Sequence, residues 1–188
     1  MKIIKRILRK NTKPYHHTPL TEPTESELKL FEKYFSSSVA GKTNPRVMII
    51  GASPELRDIV AKMKLRATVV AQNFEIIKRA SSLMKRKGKK ETWLQGDLTK
   101  LPLREKHYDI IISDTVTFAD LLKKNYLKRL RELLKKNGSV ILRAMVLRKN
   151  EKKLETNIKN FFRILDKGNP RGDVFKDYFS IYLLRRKR

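Results

Sequence analysis

Hydrophobic and polar positions alternate in two distinct rhythms along this chain, and the change of rhythm falls near Arg46. Before it, Leu28, Leu30, Phe31, Tyr34 and Phe35 fall on one helical face within Glu25–Ser36, and Gly41 and Pro45 close that segment. From Arg46 onward short apolar runs alternate with helical stretches. Arg46–Ile50, Ala67–Ala71, Thr92–Gln95, Tyr108–Ser113 and Ser139–Leu147 read as strands, the fourth apolar enough for burial on both faces. Between them, Pro54–Lys64, a segment with Phe74, Ile77, Ala80 and Met84 on one side, Phe118–Leu122 and Asn125–Lys136 read as helices. Gly88 is the expected stop of the second, and Asn137-Gly138 a left-handed cap after the last.

Strands separated by helices in this way predict right-handed βαβ units. The expected fold is α/β, a Rossmann-like, mostly parallel sheet with helices on both faces. Residues 1–25 read as a basic tail and linker, 26–44 as an N-terminal helix and 45–150 as the core. Within 151–188, Leu154–Leu165 reads as helix and Tyr178–Leu184 as strand or helix, followed by a basic end.

Charge changes this picture most. Lys+Arg number 45 against 19 Asp+Glu, a net +26, which generates a field that attracts polyanions. Lys2, Lys5, Arg6, Arg9, Lys10 and Lys13 open the chain without an acid, and Arg185, Arg186, Lys187 and Arg188 end it. Nucleic-acid contact through Lys2, Lys5, Arg6, Arg9, Lys10, Arg185, Arg186 and Arg188, electrostatic and sequence-independent, is the expectation; cations that merely solvate helix faces are the alternative.

Cysteine is absent, so disulfides, thiolate metal sites and cysteine nucleophiles are excluded. Two of the 3 histidines, His16 and His17, are adjacent in a proline-flanked stretch, and no metal site is expected. No apolar run is long enough for a membrane span, and charge interrupts the first ten residues too often for a signal peptide, so the expected location is cytoplasmic.

The segment MIIGASPELRDI carries the first chemistry. A buried strand stops at Gly51, and a helix starts with Ser53 as N-cap and Pro54 at its first position. Ligands of open parallel sheets bind at the carboxyl ends of strands, where helix amides point into the crevice. Any βα unit needs such a turn, however. Neither G-x-G-x-x-G nor a P-loop is present.

Four segments in order resemble the class I S-adenosylmethionine-dependent methyltransferases over roughly Arg46–Met145: RVMIIGASPEL, TVVAQNFEII, LQGDLTKLPLREKHYDIIISD and LKKNGSVILR. The first resembles a sub-group with G-A-S/T-P-E-L-R. The resemblance implies S-adenosylmethionine as cofactor. It implies that Gly51, Ala52 and Ser53 line its methionine end, that Asp97 accepts from the adenine amino group beside Leu98, and that Asp114 faces the transferred methyl as the catalytic candidate. Ala71, followed by Gln72, stands where the family has an acid for the ribose hydroxyls, and Glu55 where it has a third glycine. Taken without the resemblance, Asp97 is a turn-capping acid and Asp114 the N-cap of the next helix. The activity implied is methyl transfer to an unknown acceptor, with nucleic acid suggested by the charge. A non-catalytic methyltransferase-like domain that binds RNA or a protein is the alternative. Pyrimidine C5 methylation is excluded, since it needs a cysteine nucleophile.

Overall fold

The computed structural model describes residues 23–51, 53–72, 74, 77, 78, 81, 91–169 and 179–187. Seven strands form one sheet: β1 Val47–Ile50, β2 Ala67–Ala71, β3 Thr92–Gln95, β4 Tyr108–Thr117, β5 Leu134–Met145, β6 Phe162–Gly168 and β7 Phe179–Arg186. Their spatial order is β3-β2-β1-β4-β5-β7-β6. The first five are parallel, while β7 runs antiparallel to both β5 and β6. The expected sheet is thus present, and the C-terminal stretch extends it with an antiparallel pair.

Alternation along each strand assigns the helices to their faces. Val47, Ile49, Val69, Ile110 and Ile112 point to the face covered by α1 (Glu25–Val39) and α2 (Pro54–Lys62). Met48, Val70, Ile111, Val140 and Leu142 point to the face covered by α3 (Phe118–Leu122), α4 (Lys124–Leu133) and α5 (Arg148–Lys159). Most strand residues are buried whichever way they point, which explains the nearly continuous apolar runs in the sequence. The helix expected over Phe74–Met84 and its stop at Gly88 lie largely outside the described residues.

Two sequence readings are corrected. Leu154–Leu165 is not one helix: α5 ends at Lys159, and residues from Phe162 onward pair with β7 as β6. The register slips between Ile164 and Asp166, so Leu165 is an extra residue that breaks the period of two and imitates a helical pattern. Asn137-Gly138 is not a left-handed cap, because β5 begins directly at Leu134 and Gly138 is absent from the positive-φ positions. Gly138 answers a packing need: a Cβ there would sit 2.6 Å from the Leu134 side chain and 3.1 Å from the Asp109 carbonyl oxygen.

Candidate active site

The carboxyl ends of β1 to β4 bring together residues that lie far apart in sequence. Gly51 follows β1 with φ +112, a left-handed value that suits glycine. A Cβ on Gly51 would stand 3.2 Å from the Asp114 Cβ and 3.8 Å from its Oδ2, so the turn and the carboxylate are in contact. Ser53 caps α2: its hydroxyl oxygen accepts from the Leu56 amide (3.5 Å) and its hydroxyl donates to Glu55 Oε2 (2.7 Å). Glu55 therefore folds back onto the cap. Ala52 lies outside the described residues.

Asp114 owes its aim to a bulge. Ser113 pairs with Leu142 and Val116 with Ala144, leaving Asp114 and Thr115 opposite the single residue Arg143. Arg143, fully buried, donates from Nη1 to Asp114 Oδ1 (3.1 Å). Its Nε and Nη2 donate to Glu27 Oε1 and Oε2 at 3.1 and 3.2 Å. Glu27 belongs to the first turn of α1, where it also accepts from the Thr24 amide (2.8 Å) in a capping box. The N-terminal helix is thus tied to the site by a buried ion pair. The strand runs on to Thr117, so Asp114 is not the N-cap of α3.

Asp97 sits in the turn after β3. Its Oδ1 accepts from the Thr99 amide (2.9 Å) and the Thr99 hydroxyl (2.8 Å), and these bonds hold its carboxyl below the usual carboxylate range. The turn-capping role is therefore real. Oδ2 has no hydrogen-bond partner among the described residues. Leu98 is buried in the core of the α3–α5 face. Ala71 ends β2 half-buried, and Gln72 beside it is exposed. Neither carries a carboxylate.

Sequence reasoning passed over four residues here. Glu27 and Arg143 are separated by 116 positions, and their only signal is a charge inside the apolar run SVILRAMV. Arg57, fully buried, donates to the Ser53 carbonyl (3.2 Å) and to Glu91 (3.5 Å) and stacks 4.9 Å from the Trp93 ring. It braces the start of α2 against the sheet edge. Tyr126 shares a 2.8 Å hydrogen bond with Ser113. Burial pushes its phenol far above the ordinary tyrosine range, and the charges of Asp120, Asp114 and Asp97 add to that.

The basic ends are less uniform than their sequence suggests. Lys2, Lys5, Arg6, Arg9, Lys10 and Arg188 lie outside the described residues. Arg185 is exposed at the end of β7, but Arg186 is half-buried and donates to the Leu134 carbonyl. No helix among the described residues is long and apolar enough to cross a membrane.

An open sheet with this strand order and helices on both faces defines the class I methyltransferase fold. Residues 50–138 match a family described as a methyltransferase domain. The N-methyltransferase NodS from Bradyrhizobium japonicum, solved in complex with S-adenosyl-L-homocysteine, superposes with a TM-score of 0.70 at 13% identity, over 98% of this chain and 98% of that one. The [4+2]-cyclase SpnF gives 0.72 at 11% identity, over 92% and 85% of the two chains. The YcgJ protein from Bacillus subtilis gives 0.64 at 14%, over 85% and 99%. No curated protein sequence matches the chain. The chain thus has the class I methyltransferase fold, and its similarity to a methyltransferase domain spans residues 50–138.

Proposed function

We propose that the protein binds S-adenosylmethionine at the carboxyl end of its sheet and transfers the methyl group. The observation that carries this reading is the convergence of Gly51, Asp114 and Asp97 there, each with an atom suited to one part of the cofactor. Gly51, with its positive φ, brings the turn before α2 into contact with Asp114. Asp114 and Glu27 supply negative charge for a cationic group, and Asp97 Oδ2 suits an amino donor such as that of adenine. At Ala71 the fit is poorer: without a carboxylate the ribose hydroxyls would meet an amide at best, a weaker partner than a charged one. The cofactor supplies an activated methyl on sulfur. The residues of this chain align it and exclude water, with Asp114 held in place by Arg143.

Calorimetric titration with S-adenosylmethionine and S-adenosylhomocysteine tests this. Both ligands are expected to bind, and Glu27→Gln is expected to weaken the first more than the second. Only S-adenosylmethionine carries the sulfonium charge. A unit charge within about 15 Å, at an effective dielectric of about 20, is worth about 1 kcal/mol, or roughly fivefold. Equal losses for the two ligands would remove the charge argument. One observation favours a second reading, a domain without transferase activity: β2 ends at Ala71 with no ribose acid. The fold itself is compatible with other chemistry, as the cyclase SpnF indicates. Failure of both ligands to bind the wild-type protein selects this reading.

For the partner, the +26 charge supports nucleic acid, met through the basic ends. If about five phosphates are neutralised, log affinity falls with log salt at a slope near −4. Deleting residues 1–13 is expected to make the slope shallower and leave the fold intact, because the sheet begins at Val47. Filter binding over a salt series measures it. Binding indifferent to salt would turn the search toward uncharged acceptors.

A further inference from the structure

Acidic side chains gather at one end of the sheet, and cations without them at the other. At the carboxyl end Asp97, Asp114 and Asp120 all act on the Tyr126 phenol. At the amino end a cavity of about 530 Å³ opens among the turns that lead into β1, β2 and β4 and the first residue of β3. Arg46, Lys64, Arg66 and His107 contribute to its lining, which among the described residues contains no acidic side chain.

Further features separate this cavity from ordinary basic surface. Arg46 Nη1 lies 2.7 Å from His107 Nδ1, so the guanidinium is turned onto an imidazole rather than a carboxylate. Lys29, Lys33 and Lys62 on the helices are each paired with an acid, whereas Arg46, Lys64 and Arg66 have no carboxylate partner among the described residues. Asp109, the acid on β4 at this end, is occupied by the Lys135 ammonium (2.7 Å) and the Arg46 amide (2.9 Å). Burial above all, with the charges of Arg46, Arg104 and Lys135, holds the His107 imidazole below its usual pKa. Asn44 and Lys64, both in the lining, have left-handed backbones with φ 47 and 57, uncommon for lysine.

We propose that this cavity binds a phosphate of a nucleic-acid backbone, at a site distinct from the cofactor crevice. Arginine forks match phosphate oxygens in pairs, and cations in a concavity that hold no carboxylate lose little on taking an anion. A strand suits the place better than a single small anion. Exposed Lys136 at the start of β5 and Arg185 at the end of β7 continue the positive surface along the same end of the sheet. Four to five residues of strand put the cavity roughly 15 Å from the carboxyl end, so it anchors a backbone rather than the reacting group. The inference shares the class of partner with the proposed function, but uses neither the cofactor residues nor the terminal tails.

The test measures fluorescence anisotropy of a labelled single-stranded RNA of about twelve nucleotides with the full chain. Arg46→Gln/Arg66→Gln is compared with Lys152→Gln/Lys153→Gln, which removes the same charge from exposed positions of α5. The cavity variant is expected to bind roughly tenfold more weakly at about 100 mM salt, with a slope shallower by about 1.4, the share of two single-strand contacts. The α5 variant should lose less than about twofold. S-adenosylhomocysteine affinity should be unchanged in both, so failure of the cofactor reading and failure of this one are distinguishable. Equal losses in the two variants would reduce the cavity to bulk charge and overturn the proposal. So would absence of RNA binding by the wild type, or binding to phosphatidylserine vesicles that depends on the cavity when RNA binding does not. In the wild-type protein, where no substitution can disturb the fold, RNA should shift the His107 ring resonances in NMR spectra. Resonances that stay in place at saturation refute the site.

Discussion

Arg143→Ala is expected to destabilise the protein by about 3–5 kcal/mol, more than any other single polar substitution at the site. Arg143 is fully buried and holds two carboxylates, Glu27 with no exposed side-chain surface and Asp114 with 8%. Removing the cation leaves both acids in a low-dielectric interior facing a cavity. The cost comes from the charges left without it, since a well-formed buried ion pair is worth little beyond an apolar replacement. Arg143→Lys keeps the charge but loses the fork that reaches three oxygens, so an intermediate loss is expected. Urea denaturation with matched m-values measures both. Arg143→Ala should also loosen the first turn of α1, visible as faster amide exchange around Glu27. A loss below about 1 kcal/mol would mean that the carboxylates find water or other partners on their own.

Asp97→Asn is expected to weaken S-adenosylhomocysteine binding by about thirty- to a hundredfold while leaving stability within about 0.5 kcal/mol. The structure makes the two effects separable. The Thr99 amide and hydroxyl need one acceptor oxygen, and an asparagine carbonyl supplies it in the same turn. The amide nitrogen then takes the place of Oδ2 and presents donors where the proposed ligand has an amino group. Asp97→Ala removes the turn as well, so it should lower stability and affinity together. Calorimetry and thermal melts on the two variants resolve the roles. Undiminished affinity in Asp97→Asn would mean that Asp97 only caps its turn and that the adenine lies elsewhere.

The alternation of elements from Arg46 to Met145 was legible because parallel strands with short connections keep their signals local. A run such as Met48–Ile50 must be apolar on both faces, and α2 announces its start through Ser53 and Pro54. The order of the four matching segments was enough to place Gly51, Asp97 and Asp114 at one end of the sheet, since parallel strands deliver their carboxyl ends to the same side.

What the sequence could not decide depended on partners distant in the chain. β6 is a strand because β7 offers it an edge; its own pattern, with Leu165 inserted, favours helix. Gly138 was legible as a glycine but not as one required by Leu134 and the Asp109 carbonyl. Glu27 fits its capping box without regard to the site, and Arg143 looks like an anomaly in an apolar strand. Only their meeting across 116 residues turns each into the reason for the other. The net charge, likewise, was plain from composition, but its division into an acid-lined carboxyl end and a cationic cavity at the amino end arises from the fold. Local propensity and period act through neighbours in sequence, whereas the pairing of buried charges and the potential over a surface are set by distances that exist only once the sheet has formed.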